Sequence, residues 1–233
     1  MIINMINHPV SVVLLLMAVI ISIVAHEIAH GYVALWNGDD TAKRAGRLSP
    51  NPLVHFNLFG FLMMVIVGFG FAKPVPVNPT KFRKIRRGIF TVAIAGVVVN
   101  IVLAFISVPL MLLFRLSIDL WFGMIVFHDF FMFMAIINIS LFLFNLIPIF
   151  PLDGFRVVES FAKPRNRFVL WMQKYGMFVL LGVIIWSVFI GIIADATGIW
   201  WLNFIDPFHL YLFVLRDLIL RGFTFFWGLM IPA

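Results

Sequence analysis

Apolar residues run from Pro9 to Trp36 in an almost unbroken stretch, interrupted chiefly by the polar group His26-Glu27 and by His30. As a helix this stretch is about 42 Å long at about 1.5 Å per residue, more than a hydrocarbon core of roughly 30 Å, so it is read as a first transmembrane helix. Asn37-Gly38 ends it, and a polar loop with Lys43, Arg44 and Arg47 follows. The next apolar stretch, Phe56 to Phe71, is short, holds Gly60, Gly68 and Gly70, and leads to a second basic loop with Lys73, Lys81, Arg83, Lys84, Arg86 and Arg87. A span here would put two basic loops on opposite faces, against the positive-inside bias. The pattern therefore predicts a re-entrant element over about 48–72, expected as a β-hairpin, with a short tilted span as the competing reading.

Gly88 to Leu116 reads as the second span and Phe130 to Ile147 as the third, joined by a connecting segment in which Asp129 is expected to cap the helix that follows. Pro148 and Pro151 must break the third span immediately before Leu152-Asp153-Gly154. Arg156, Lys163, Arg165, Arg167 and Lys174 make a third basic cluster; Val169 to Ala194 offers a fourth span. Phe208 to Met230 offers a fifth, or an interfacial or gating element, because it carries Arg216, Asp217 and Arg221. The expected fold is an all-α polytopic membrane protein of about five transmembrane helices plus the re-entrant element, a single membrane domain over 1–233.

Composition agrees. The 233 residues are 63% hydrophobic and 12% charged, with a mean hydropathy of +1.10, which excludes a soluble globular domain. There is no cysteine, so thiolate metal sites and disulfides are excluded. The net charge of +7 does not mark a nucleic-acid surface. Fourteen of the 17 Lys and Arg fall in the three basic clusters, which a re-entrant element places on one side. That predicts an outside N-terminus and a cytoplasmic C-terminus. The first apolar run is too long for a signal-peptide core and is expected to be retained.

The chemistry lies in the polar interruption. His26 and His30 stand one helical turn apart on one face and can offer two imidazole nitrogens to one metal ion, with Glu27 beside it as general base, the HExxH arrangement of zinc hydrolases. With six His and two Glu in the chain, chance produces this pattern roughly once in a thousand such sequences. A carboxylate mid-membrane costs about 2.5–3.5 kcal/mol on insertion scales and points to function. Counting inward from Trp36, His30 lies about 9 Å and His26 about 15 Å from the cytoplasmic end of the helix. The third span runs back towards that face and brings Asp153 to a similar depth. The alternative is a non-proteolytic membrane protein that binds or transports metal; no internal repeat or second ligand set supports a transport path.

Taken together, the HEIAH stretch, the Gly96 to Asn100 segment and Asn145 to Gly154 resemble the site-2 proteases, a family of intramembrane zinc metalloproteases. Gly46 to Leu53 and Phe71 to Pro79 are similar to its short prokaryotic branch, which lacks PDZ and CBS domains. The resemblance covers roughly Val12 to Val158 and implies a catalytic core over 9–158 followed by C-terminal helices over 169–231. It implies Zn2+ held by His26, His30 and Asp153, with Glu27 as the catalytic glutamate. Asn145 and Asn100 match asparagines tied to substrate binding, although both could be helix-packing amides. It also implies a transmembrane protein substrate, in a prokaryotic cell membrane, with the active site near the cytoplasmic face. Val97, Phe155 and Asn57 depart from the family pattern, and His55 is read as a loop residue, with a regulatory or secondary metal role as the alternative. Oligomeric state is not legible.

Overall fold

A computed structural model describes residues 9–55, 57, 60, 73–116, 123–163 and 165–231. The helices are α1 (Pro9–Trp36), α2 (Thr41–Arg44), α3 (Ile85–Leu116), α4 (Met124–Leu146), α5 (Asp153–Phe161), α6 (Arg167–Thr197) and α7 (Leu215–Gly228). Helical turns at Pro207–His209 and a π-type turn at Leu210–Val214 lead into α7. Among the described residues there is no strand, and α1, α3, α4 and α6 are long and apolar enough to cross a membrane. Of the re-entrant element expected over about 48–72, residues 48–55, 57 and 60 are described, with a 3-10 turn at Pro52–Val54, and the rest lies outside the described residues.

The central bundle is α1, α3 and α4, with α5 folded back onto α3. Lipid tails are as apolar as leucine, so helices in a bilayer associate through close packing and buried polar contacts rather than through a hydrophobic drive. The bundle is built accordingly: Ala18, Ala34, Ala93, Ala104 and Ala135 are fully buried where backbones approach, while Val98, Val102 and Ile106 of α3 face outward.

Three expectations change. α3 begins at Ile85, one turn before Gly88, because a helix need not stop where its apolar composition does, and Arg86 and Arg87 are exposed on its first turn. Asp129 does not cap α4; that helix starts at Met124, and Asp129 lies inside it, 3.0 Å from the ring of His128, so pairing removes the need to leave the helix. The direction of the last helix also differs from the one that charge counting predicts. The Tyr211 hydroxyl donates to the carbonyl of Leu143 (3.1 Å), near the end of α4, and Trp227 Nε1 donates to the carbonyl of Phe105 (3.0 Å), farther along α3 from its basic start. The 207–228 stretch thus runs parallel to α3 and packs on Ala104, Ile139 and Leu143. Its few charges were too weak a guide, since Arg216 pairs with the neighbouring Asp217 at 2.8 Å.

Candidate metal centre

His26 and His30 lie on the buried face of α1, and Asp153 opens α5 just beyond the proline break. The break turns the chain sharply enough that a Cβ on Gly154 would run into the Leu146 carbonyl, so the residue after Asp153 must be glycine for α5 to fold against the end of α4. Gly96 of α3 plays the matching part on the other side: a Cβ there would overlap the imidazole of His26. The three side chains converge. His26 Nε2 and His30 Nε2 are 2.9 Å apart, and Asp153 Oδ2 is 3.1 Å from each.

The tautomers follow from fixed backbone acceptors. His30 Nδ1 is 2.7 Å from the carbonyl of Val92, which can only accept, so Nδ1 carries the proton. For His26 the argument passes through two amides. Asn138 Nδ2 donates to the Met134 carbonyl (2.8 Å) and to Ser22 Oγ (2.7 Å), so Asn138 Oδ1 is the acceptor for Asn100 Nδ2 (2.8 Å). Asn100 Oδ1 must then accept from His26 Nδ1 (2.6 Å). Both Nε2 lone pairs consequently face each other and a carboxylate oxygen, and Asp153 Oδ2 is buried without a hydrogen-bond donor.

Such a cluster is repulsive alone and is stabilised by a cation. Tetrahedral zinc with bonds of about 2.0–2.2 Å separates its donors by about 3.3 Å, close to the triangle present here, and the His, His, carboxylate set is one that catalytic zinc uses. The residues fit the metal. His26, His30 and Asp153 are also the one group of metal-type donors found together among the described residues.

Glu27 Oε2 accepts from the backbone N–H of Val75 at 2.8 Å. Val75 belongs to an extended segment, 73–78, with prolines on either side, so its N–H is a donor flanked by residues that have none. The segment is tied down by Arg47, whose guanidinium donates to the carbonyls of Lys73 and Pro74 (3.1 Å for the latter), and by the N–H of Asn78 donating to Asp39 Oδ2 (2.6 Å). Burial raises the Asp39 carboxyl pKa, but the donors from Asn78 and Thr41 outweigh it and hold the group below the ordinary carboxylate range.

The remaining candidates lie apart from this cluster or behind it. Asn100 is fully buried, its amide engaged with His26 and Asn138. Asn145, one residue from the end of α4, is half-buried and donates to the Leu141 carbonyl at 3.0 Å. His55 is 2% exposed, with Nε2 3.0 Å from the Ser49 carbonyl. Sequence reasoning missed the Val75 N–H, the Val92 carbonyl and Ser22; the first two are backbone groups, which leave no side-chain signature. Asn138 it placed only on the same face of the helix as Asn145.

A family model described as "Peptidase family M50" matches residues 120–185. A Bacillus subtilis protein named "Putative zinc metalloprotease YwhC" is 39% identical over 187 residues, 75% of this chain and 81% of the relative. A Methanocaldococcus jannaschii protein named "Putative zinc metalloprotease MJ0611" is 33% identical over 103 residues, 44% of this chain and 50% of the relative. No solved structure matches. Since the resemblance to the Bacillus protein extends over most of both chains, this chain belongs to peptidase family M50, the site-2 family of zinc metalloproteases.

Proposed function

We propose that this zinc metalloprotease hydrolyses peptide bonds within or near the transmembrane segments of membrane protein substrates. The observation that carries the reading is the convergence of His26, His30 and Asp153 inside a bundle of apolar helices, with Glu27 one residue from a ligand. His26 Nε2, His30 Nε2 and Asp153 Oδ2 would hold the zinc. Bound there, zinc supplies Lewis-acid chemistry, making water nucleophilic near neutral pH and polarising the scissile carbonyl.

The protein's own groups do the rest. Asn100 and the Val92 carbonyl fix both imidazoles with Nε2 forward. The Val75 N–H holds one oxygen of Glu27 and leaves the other to take a proton from water and pass it to the leaving amine. A helical substrate hides its carbonyls in hydrogen bonds and has to unwind before attack, which suits a site that offers backbone partners. The re-entrant element over about 48–72 would receive the unwound strand by edge pairing, with Asn145 bonding freed backbone. Asn100 acts through His26 and not on substrate. The loops carrying most of the basic residues face the cytoplasm in this reading, with the active site near that face of a prokaryotic membrane.

The test is proteolysis of single-span substrates by purified protein, with zinc measured in parallel. Glu27→Gln keeps stoichiometric zinc and loses cleavage, whereas Asp153→Ala loses the metal. Full cleavage by Glu27→Gln overturns the assignment of the base.

A further inference from the structure

Beside α1 and α3 runs a feature that the chemistry above does not use. A groove of about 710 Å³ opens between the two helices, floored by Ala29 and Val33 of α1 and by Ile94, Ala95 and Val98 of α3. It continues, through shared walls at Val33, Trp36 and Thr91, into a second cavity of about 420 Å³ lined by Arg83, Lys84 and Arg87. From Ala29 to Trp36 the apolar part extends about 10 Å along the helix. Trp36, 71% exposed, stands where the two meet, and Tyr32, 42% exposed, lines the apolar groove beside it, with ring centroids 6.5 Å apart. Aromatic rings of this kind settle at the level of lipid headgroups.

Among the described residues no carboxylate lies within ion-pair distance of Arg83, Lys84 or Arg87. The nearby Asp39 and Asp40 are already engaged, Asp40 with Lys81 (2.9 Å) and Arg44, Asp39 with Thr41 and Asn78. α3 also begins at Ile85 with no acidic residue in its first turn, which leaves its positive end unneutralised. An apolar slot beneath an aromatic rim and cations without an acidic neighbour has the order of parts of an amphiphile: acyl chain, glycerol level, anionic headgroup.

We infer that the α1–α3 groove is a binding site for one anionic phospholipid, its acyl chain against Ala29, Val33 and Val98 and its phosphate among Arg83, Lys84 and Arg87. A zwitterionic headgroup brings a cation of its own to three others and binds less well. Free phosphate finds the charges but leaves the slot empty. Basic pockets between transmembrane helices are the kind that hold acidic headgroups, and each cation near a membrane surface adds to the preference.

The test uses Trp36 as reporter, in nanodiscs of phosphatidylcholine holding a minor fraction of either phosphatidylglycerol or phosphatidylcholine brominated on its acyl chains. The Trp36 signal is the difference between wild type and Trp36→Phe. At equal mole fraction, brominated phosphatidylglycerol quenches it at least about fivefold more than brominated phosphatidylcholine. The Arg83→Gln/Arg87→Gln variant loses the preference, Arg83→Lys/Arg87→Lys keeps it, and excess inorganic phosphate leaves it unchanged. Zinc content reports the fold of each variant; should the double Gln variant lose zinc, Lys84→Gln carries the same comparison. Equal quenching by both lipids, as a groove occupied by a protein helix or by ordinary boundary lipid would give, overturns the inference. So does a preference that survives charge removal, or one that inorganic phosphate abolishes.

Discussion

His26 shows how much of a candidate metal ligand is decided away from the metal. Its Nδ1 donates to Asn100, Asn100 donates to Asn138, and Asn138 is anchored on the Met134 carbonyl, so a backbone oxygen on α4 sets which ring nitrogen on α1 is free. Partners of this kind are worth about 10- to 100-fold in metal affinity. Asn100→Ala therefore weakens zinc binding by that factor in a competition titration with a chelator. A contact with substrate would instead raise KM and leave zinc affinity alone. That His26 and His30 share one face with a carboxylate beside them was legible in the sequence, because histidines four apart and a carboxylate in an apolar run are costly unless used. The role of Asn100 was not, because an amide announces neither its partner nor its orientation until the helices are packed.

At the level of elements, the 73–78 segment gives the site a fixed wall. It is held by Arg47 and Asp39 from the polar loop after α1, and it presents the Val75 N–H to Glu27. Val75→Pro removes that donor together with a buried valine side chain, and Val75→Ala separates the two effects. The proline variant lowers kcat by up to about a hundredfold with KM and zinc content unchanged, while Val75→Ala, which retains the N–H, keeps kcat near wild type. α1 matched its sequence-based bounds, Pro9 to Trp36, because Asn37-Gly38 terminates an apolar run unambiguously. The start of α4 was misjudged because two polar residues looked like a loop; paired, His128 and Asp129 fit within a helix.

For the molecule as a whole, the helical membrane class was legible from hydropathy alone, whereas the course of the final stretch was not. Fourteen clustered cations carry the proposed polarity of the bundle, but the two on the last helix, Arg216 and Arg221, could not orient it. The absence of native cysteine makes this directly measurable. Single cysteines replacing Thr80 and Lys163, in the basic loops, react with an impermeant maleimide from the cytoplasmic side of inverted vesicles. A cysteine replacing Gly123 reacts only from the opposite side. Labelling of Thr80→Cys and Gly123→Cys from one side would overturn the proposed orientation.

The Val92 carbonyl grips His30 and the bare Cα of Gly96 receives His26, so both imidazoles register against the same four-residue step of a neighbouring helix. An ion seated by those rings rivets α1 to α3, and no slippage between the two can spare one ligand while moving the other. Chelation should accordingly loosen the pair together: amide exchange at Val92 to Gly96 and at His26 to His30 accelerates in step once zinc is stripped, and slows in step when it is restored.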